Sequence, residues 1–161
     1  EENKRLPTSL ENRPEIEVKP GDFLLSRANT AELVARSVIA PDDCPRKLIM
    51  SDKIIRLNFL DDLLKPWVNL VNNSDMARNY YKERATGTSD SMRNVSRQII
   101  HELPIPFPDL LKQQRIVAKV NELMALCDRL EQQLQQAQTV AQQYAHAALS
   151  RLTHDAPEDA A

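Results

Sequence analysis

The stretch LLKQQRIVAKVNELMALCDRLEQQLQQAQTVAQQYAHAALSRL, residues 110–152, decides the architecture of this chain. Apolar or small residues recur at Ile116, Val120, Leu123, Cys127, Leu130, Leu134, Ala137, Ala141, Tyr144 and Ala148, with spacings that alternate four and three. That alternation is a heptad seam. The other positions carry mostly Gln, Glu, Asn, Lys and Arg, and neither glycine nor proline occurs between 109 and 152. A helix from Leu110 to Leu152 extends roughly 60 Å at ~1.5 Å per residue. Such a rod cannot bury its seam against itself, and the chain offers no second long helix, so the seam calls for another copy or another protein. An amphipathic helix lying on its own domain is the competing interpretation, and the length disfavours it. The drift from Leu to Ala along the seam predicts close helix approach toward its C-terminal end. Asp109 is placed to cap the start, and residues 153–161, with Pro157 and three acids, are expected to form a frayed tail.

Upstream the texture changes: residues 1–108 hold nine of the ten prolines and both glycines. This part predicts an α+β head. Glu15 to Val18, Asp22 to Arg27, Ser37 to Ala40 and Lys53 to Asn58 have strand-like patterns, with turn signals at Pro20-Gly21 and Pro41-Asp42-Asp43. Asp61 or Asp62 should start a helix with an inner face of Leu63, Leu64, Trp67, Leu70 and Val71 and with Pro66 in its first turn. Ser74 should cap a helix over 75–85, and Ser96 a short one through Ile99 and Ile100. Leu103-Pro104-Ile105-Pro106-Phe107-Pro108 alternates apolar residue and proline, and residues before proline avoid the α region, so this segment is an extended, stiff joint into the long helix. The fold class is therefore α+β, a small mixed head over 1–108 followed by a coiled-coil-type helix over 109–152.

Composition excludes several function classes. The chain has 161 residues, 23 acidic against 21 basic side chains, and a net charge of −2. No apolar run is long enough for a membrane-spanning helix, and the start shows no apolar signal core, so a cytoplasmic location is expected. Cys44 and Cys127 lie far apart with no Cys/His cluster, which argues against a disulfide framework and a metal site. Two glycines cannot build a phosphate loop or a dinucleotide fingerprint. His101-Glu102 lacks a second histidine, since position 105 is Ile105, and Pro104 would break the helix a zinc protease needs. No catalytic residue, metal site or cofactor is expected.

Charge is uneven along the chain. From Met76 to Arg97 five basic side chains face two acids. Inside this stretch, Thr86-Gly87-Thr88-Ser89-Asp90-Ser91-Met92-Arg93-Asn94 is expected to be a polar loop between two helices. Arginine and asparagine can bond guanine and adenine edges in pairs, while Ser, Thr and Lys suit phosphate oxygens. A solvated cationic face explains the same charges without a ligand. Trp67, Tyr80 and Met76 are expected in the small core in preference to a base-stacking platform.

Several segments, in order, resemble the target recognition domains of specificity subunits of type I restriction-modification enzymes. Val18-x-Pro20-Gly21-Asp22-Phe23-Leu24-Leu25-Ser26-Arg27-Ala28-Asn29-Thr30 is similar to that family's Gly-Asp strand, and Ser51-Asp52-Lys53-Ile54-Ile55-Arg56-Leu57 to the strand after it. Lys65-Pro66-Trp67-Val68, Ala85-Thr86-Gly87-Thr88, Leu103-Pro104-Ile105-Pro106-Phe107-Pro108 and Gln113-x-x-Ile116-Val117 follow in the family's order. Asp109 and Lys112 depart from it, standing where the family has proline and glutamate. Only Glu1 to Glu15 stands before the Gly-Asp strand, so a C-terminal fragment or a naturally shortened half-subunit is expected.

The resemblance implies a non-catalytic subunit that reads one half of a split site in double-stranded DNA while its helix sets the spacing. Its implied partners are methyltransferase subunits and, through them, the restriction subunit, with a homodimer through the long helix if the chain is a half-subunit. For DNA contacts, Arg93 and Asn94 are the candidates for base edges, and Lys82 and Arg84 for phosphates. Arg78, Thr88, Ser89, Ser91, Arg27 and Asn29 complete the set. A coiled-coil adaptor that binds protein and no DNA is the alternative, favoured by the negative net charge.

Overall fold

The computed structural model describes residues 6–7 and 13–154, and for Thr88, Ala148 and residues 150–154 only the backbone. It divides into two compact units, Glu1–Gln113 and Gln114–Ala161. The fold is α+β.

The first unit holds two three-stranded antiparallel sheets. Strands β1 (Phe23–Ser26), β3 (Ser37–Ile39) and β4 (Ile54–Leu57) form one, in the order β3-β1-β4. Strands β2 (Ala28–Asn29), β5 (Thr86–Ser89) and β6 (Met92–Asn94) form the other, in the order β2-β6-β5. Only Arg27 separates β1 from β2, and its backbone joins the sheets: its N–H donates to Lys53 O at 2.8 Å and its carbonyl accepts from Val95 N at 2.9 Å. The pattern at Glu15 to Val18 does not become a strand. Pro14 starts a single 3-10 turn, Pro14–Ile16, and Glu17 makes an isolated bridge to Ile49.

The Gly-Asp pair has a local cause. Gly21 has φ +77° after Pro20, and Asp22 N–H bonds Lys19 O at 3.0 Å, a type II turn that needs glycine at its third position. Asp22 then accepts from Lys19 N at 2.8 Å and pairs with Arg56 at 2.9 Å. The Arg56 guanidinium also bonds the carbonyls of Glu15 and Glu17, so the turn, β4 and the N-terminal segment are tied together.

Three short helices follow, two of them on the expected serine caps and the first without a side-chain cap of its own, since Asp61 caps the 3-10 turn before it. Helix α1 (Lys65–Asn72) has Pro66 in its first turn and is preceded by a 3-10 turn at Asp62–Leu64. The Ser74 side chain caps α2 (Asp75–Arg84), and Ser96 caps α3 (Arg97–His101). The core cluster is Leu25, Val34, Ala35, Ala77, Tyr81, Val95, Ile100 and Leu103. Trp67 is buried as expected and donates to Pro106 O at 2.9 Å, which fixes the proline-alternating segment on α1. Leu63 and Met76, expected inside, are 57% and 43% exposed. Leu63 lies in the 3-10 turn before α1, where the spacing that selects its inner face does not apply.

Helix α4 runs unbroken over Leu110–His154, with Lys112 N–H on the Asp109 carboxylate at 2.9 Å. Thr153 and His154, expected in the tail, are helical, and residues 155–161 lie outside those described. Along the seam Ile116 and Val120 are half-buried, while Leu123, Cys127, Leu130, Leu134, Ala137, Ala141 and Tyr144 are exposed. For Ala148 only the backbone is described. Among the described residues no helix is long and apolar enough to cross a membrane.

Candidate nucleic-acid interface

The polar segment 86–94 is a β-hairpin and not a loop. Thr86 pairs with Asn94 and Ser89 with Met92, with an irregularity between Thr86 and Ser89. Gly87 is the reason the hairpin can form. Its φ of +132° suits glycine, and a Cβ at this position would run into the backbone carbonyl of Met92. Asp90 and Ser91 make the turn. Its tip is tied down, because Ser89 Oγ lies 2.5 Å from Ser91 Oγ and accepts from Ser91 N, and the Asp90 carbonyl accepts from Ala31 N at 2.9 Å.

The hairpin's partner is β2. Asn29 stands opposite Arg93, and Ala28 opposite Asn94. Asn29, more than fifty positions upstream, therefore shares one small sheet with Arg93, Asn94 and the hydroxyl-rich β5, and Arg27 adjoins it through the bond from Val95 N to its carbonyl. Successive strand residues point to opposite faces. Arg93 and Asn29 share one face, and Asn94, the buried Ala28 and Thr86 the other. One duplex laid on this sheet cannot meet both Arg93 and Asn94 from the same side.

The candidate side chains differ in how committed they are. Arg93 is 27% exposed, donates from Nη1 to Gly87 O at 2.9 Å, and holds Nε 3.7 Å from Asp90 Oδ1. Asn29 uses Oδ1 to accept from Thr30 N at 2.8 Å. Lys82 and Arg27 are exposed, and neither side chain has a partner among the described residues. Arg84 stacks over the Tyr80 ring with its guanidinium carbon 4.2 Å from the centroid, and pairs with Glu83 at 3.0 Å. Of Thr88 only the backbone is described.

Arg78 stands apart from the rest. Its guanidinium donates to the carbonyls of Val34, Ala35 and Asn72 at 2.7, 3.0 and 2.8 Å and lies over the Tyr81 ring. Burial, then the charge of Arg36, press its pKa below the ordinary arginine value. With these bonds in place Arg78 braces the protein and has little left to offer DNA. Sequence gave no sign of this, because the carbonyls it grips lie more than forty residues away in two of the three cases. The Arg93–Asp90 pairing was also missed, although its i,i+3 spacing was visible.

No family model matches this chain. It is 32% identical over 139 residues to the EcoEI specificity subunit of Escherichia coli, a type I restriction enzyme, covering 86% of this chain and 23% of that protein. The EcoAI specificity subunit of Escherichia coli matches at 32% over 55% of this chain and 16% of its own length. The EcoKI specificity subunit of Escherichia coli strain K12 matches at 26% over 74% and 26%. This chain is a type I specificity-subunit-like protein. It spans about a quarter or less of the length of these specificity subunits, and the match to the EcoEI subunit extends over 86% of it, head and helix residues together. In this specificity-subunit-like chain the resembling segments have identifiable structural work: Gly21-Asp22 makes a turn and an ion pair, Trp67 anchors the proline segment, Gly87 closes the hairpin, and Gln113 bonds Pro108 O at 2.7 Å.

Proposed function

We propose that this chain recognises a DNA sequence as a non-catalytic specificity subunit, or half-subunit, of a type I restriction-modification enzyme in the cytoplasm. The head reads one half of a split site and α4 sets the spacing to a second reader. Its partners are double-stranded DNA, methyltransferase subunits and, through them, the restriction subunit. The observation that carries this function is the β2-β6-β5 sheet, which brings Asn29 opposite Arg93 from a distant part of the sequence, with Arg27 next to β2; Lys82 is an exposed cation on α2. The similarity to three specificity subunits supports it. Arg93 is the base-edge candidate, and Lys82 and Arg27 position phosphates; Arg84, Thr88, Ser89, Ser91 and Asn29 are further candidate contacts, Asn94 lies on the opposite face of the sheet from Arg93, and Arg78 supports the head from inside.

The exposed stripe of Leu123, Leu130 and Leu134 supports pairing of α4 with a second copy. Two copies paired antiparallel would present two readers to a palindromic split site, as two-fold symmetry requires. The test is duplex binding across a salt titration. DNA binding through phosphates loses affinity linearly in log salt, and Arg93→Ala should cost about 1–3 kcal/mol on the matched site alone, whereas Lys82→Ala weakens all sequences alike and lowers the salt slope by about one. Equal losses on matched and mismatched duplexes for both variants would remove the assignment. Absence of salt-dependent binding would favour the protein-binding adaptor.

A further inference from the structure

The hairpin carries an acid where a DNA-reading surface would be expected to carry none. Asp90 is 90% exposed at the side chain, on the turn itself, and Arg93 Nε is 3.7 Å from its Oδ1. The backbone of Asp90 is fixed by the bond from Ala31 N, and the neighbouring hydroxyls of Ser89 and Ser91 are bonded to each other. Arg93 Nη1 is meanwhile on the Gly87 carbonyl. Two edges of the guanidinium are thus engaged by one carboxylate and one carbonyl within its own hairpin.

We propose that Asp90 is a specificity-determining residue that keeps Arg93 for neutral base edges and away from phosphates, an inference that rests on the DNA-reading function above. The physical basis is the sign of the charge each acceptor carries. Alone, Arg93 would be drawn to any phosphate, because a guanidinium pairs well with that anion. With a carboxylate beside it, an approaching phosphate meets like charge from Asp90, and the net attraction falls. A guanine edge presents O6 and N7 as neutral acceptors and suffers no such repulsion. Arg93 can turn its Nη edge from Gly87 O to O6 and N7 while Nε stays near Asp90, so the acid also orients the donors. An exposed ion pair of this length is weak, so Asp90 biases Arg93 without locking it.

The experiment uses the full chain. Duplexes are first selected from a random-sequence pool with the wild type, and affinities for a selected and an unselected duplex are then measured for wild type, Asp90→Asn, Arg93→Ala and the double variant. Asp90→Asn should tighten the unselected duplex about three- to tenfold and lower the selected-to-unselected ratio by a similar factor. In the Arg93→Ala background the same substitution should leave the ratio unchanged. The free protein supplies a readout independent of DNA: the Arg93 Nε–H resonance should exchange faster with water in Asp90→Asn. Duplex binding with the same ratio in wild type and Asp90→Asn, or an equal effect in both backgrounds, overturns the inference alone. If the wild type binds no duplex, the DNA-reading function falls and takes the inference with it.

Discussion

The Tyr81 hydroxyl donates to Asn72 Oδ1 at 2.8 Å in the centre of the head, joining α2 to the last residue of α1. Asn72 passes the connection on, its Nδ2 reaching Ala35 O at 2.7 Å and Ser37 Oγ at 2.9 Å. Ala35 is fully buried with φ 59°, a left-handed conformation unusual for alanine, and its carbonyl is also held by Arg78. One polar network therefore fixes the strained segment between the two sheets, on which the placement of β2 depends.

This network predicts a pH limit. Burial pushes the Tyr81 phenol up to about 12 from its ordinary value, with Arg78 pulling it down and Tyr80 adding to the rise. The folded chain thus holds this proton more tightly than the unfolded chain. The contribution, roughly 2–3 kcal/mol, is fully present below about pH 10 and is lost as pH climbs toward about 12. Urea midpoints measured across that window should fall for the wild type and fall distinctly less for Tyr81→Phe; parallel curves would show that Tyr81 is not the source.

Arg78 and Lys82 lie one helical turn apart and should behave oppositely. Arg78→Ala removes the guanidinium bonds to the carbonyls of Val34, Ala35 and Asn72, of which Ala35 O keeps its bond from Asn72 Nδ2, and should destabilise the chain by about 2–4 kcal/mol. Lys82→Ala removes an exposed cation that has no partner among the described residues and should shift stability by under about 0.5 kcal/mol. Chemical denaturation of both variants decides whether their roles divide this way.

Gly87→Ala should disrupt the hairpin, because the added methyl meets the Met92 carbonyl and the φ of +132° disfavours any side chain. The expected result is selective loss of amide protection in residues 86–94 with helix α4 unaffected, read by hydrogen exchange. Protection unchanged in the hairpin would mean that the backbone tolerates the side chain.

Leu130→Asp places a charge in the exposed seam of α4. If two copies pair through that seam, sedimentation should show a dimer for the wild type and a monomer for the variant at equal concentration. Lys119 already pairs with Glu122 at 2.9 Å, so Lys119→Ala serves as the control, with no more than about 0.5 kcal/mol expected from an exposed i,i+3 pair.

Much of the fold was legible because its signals are local. A heptad spacing, an absence of Gly and Pro, and side-chain caps at Ser74, Ser96 and Asp109 act within a few residues, so the helices could be read directly. The turn at Pro20-Gly21 was legible for the same reason. The hairpin was not, because alternation over three or four polar residues is weak, and its pairing depends on a glycine whose requirement arises only when Met92 lies against it.

The sequence by itself determined a small α+β head, a long helix with an apolar heptad stripe and a segment rich in cations and hydroxyls, since each follows from spacing and composition. Tertiary structure decided which of those residues are free. It drew Arg78 inward onto three carbonyls, placed Asn29 opposite Arg93, and sent Asn94 to the other face. The physical reason is that a guanidinium satisfies whatever acceptors the folded backbone brings within reach, and strand register sets which side chains share a face.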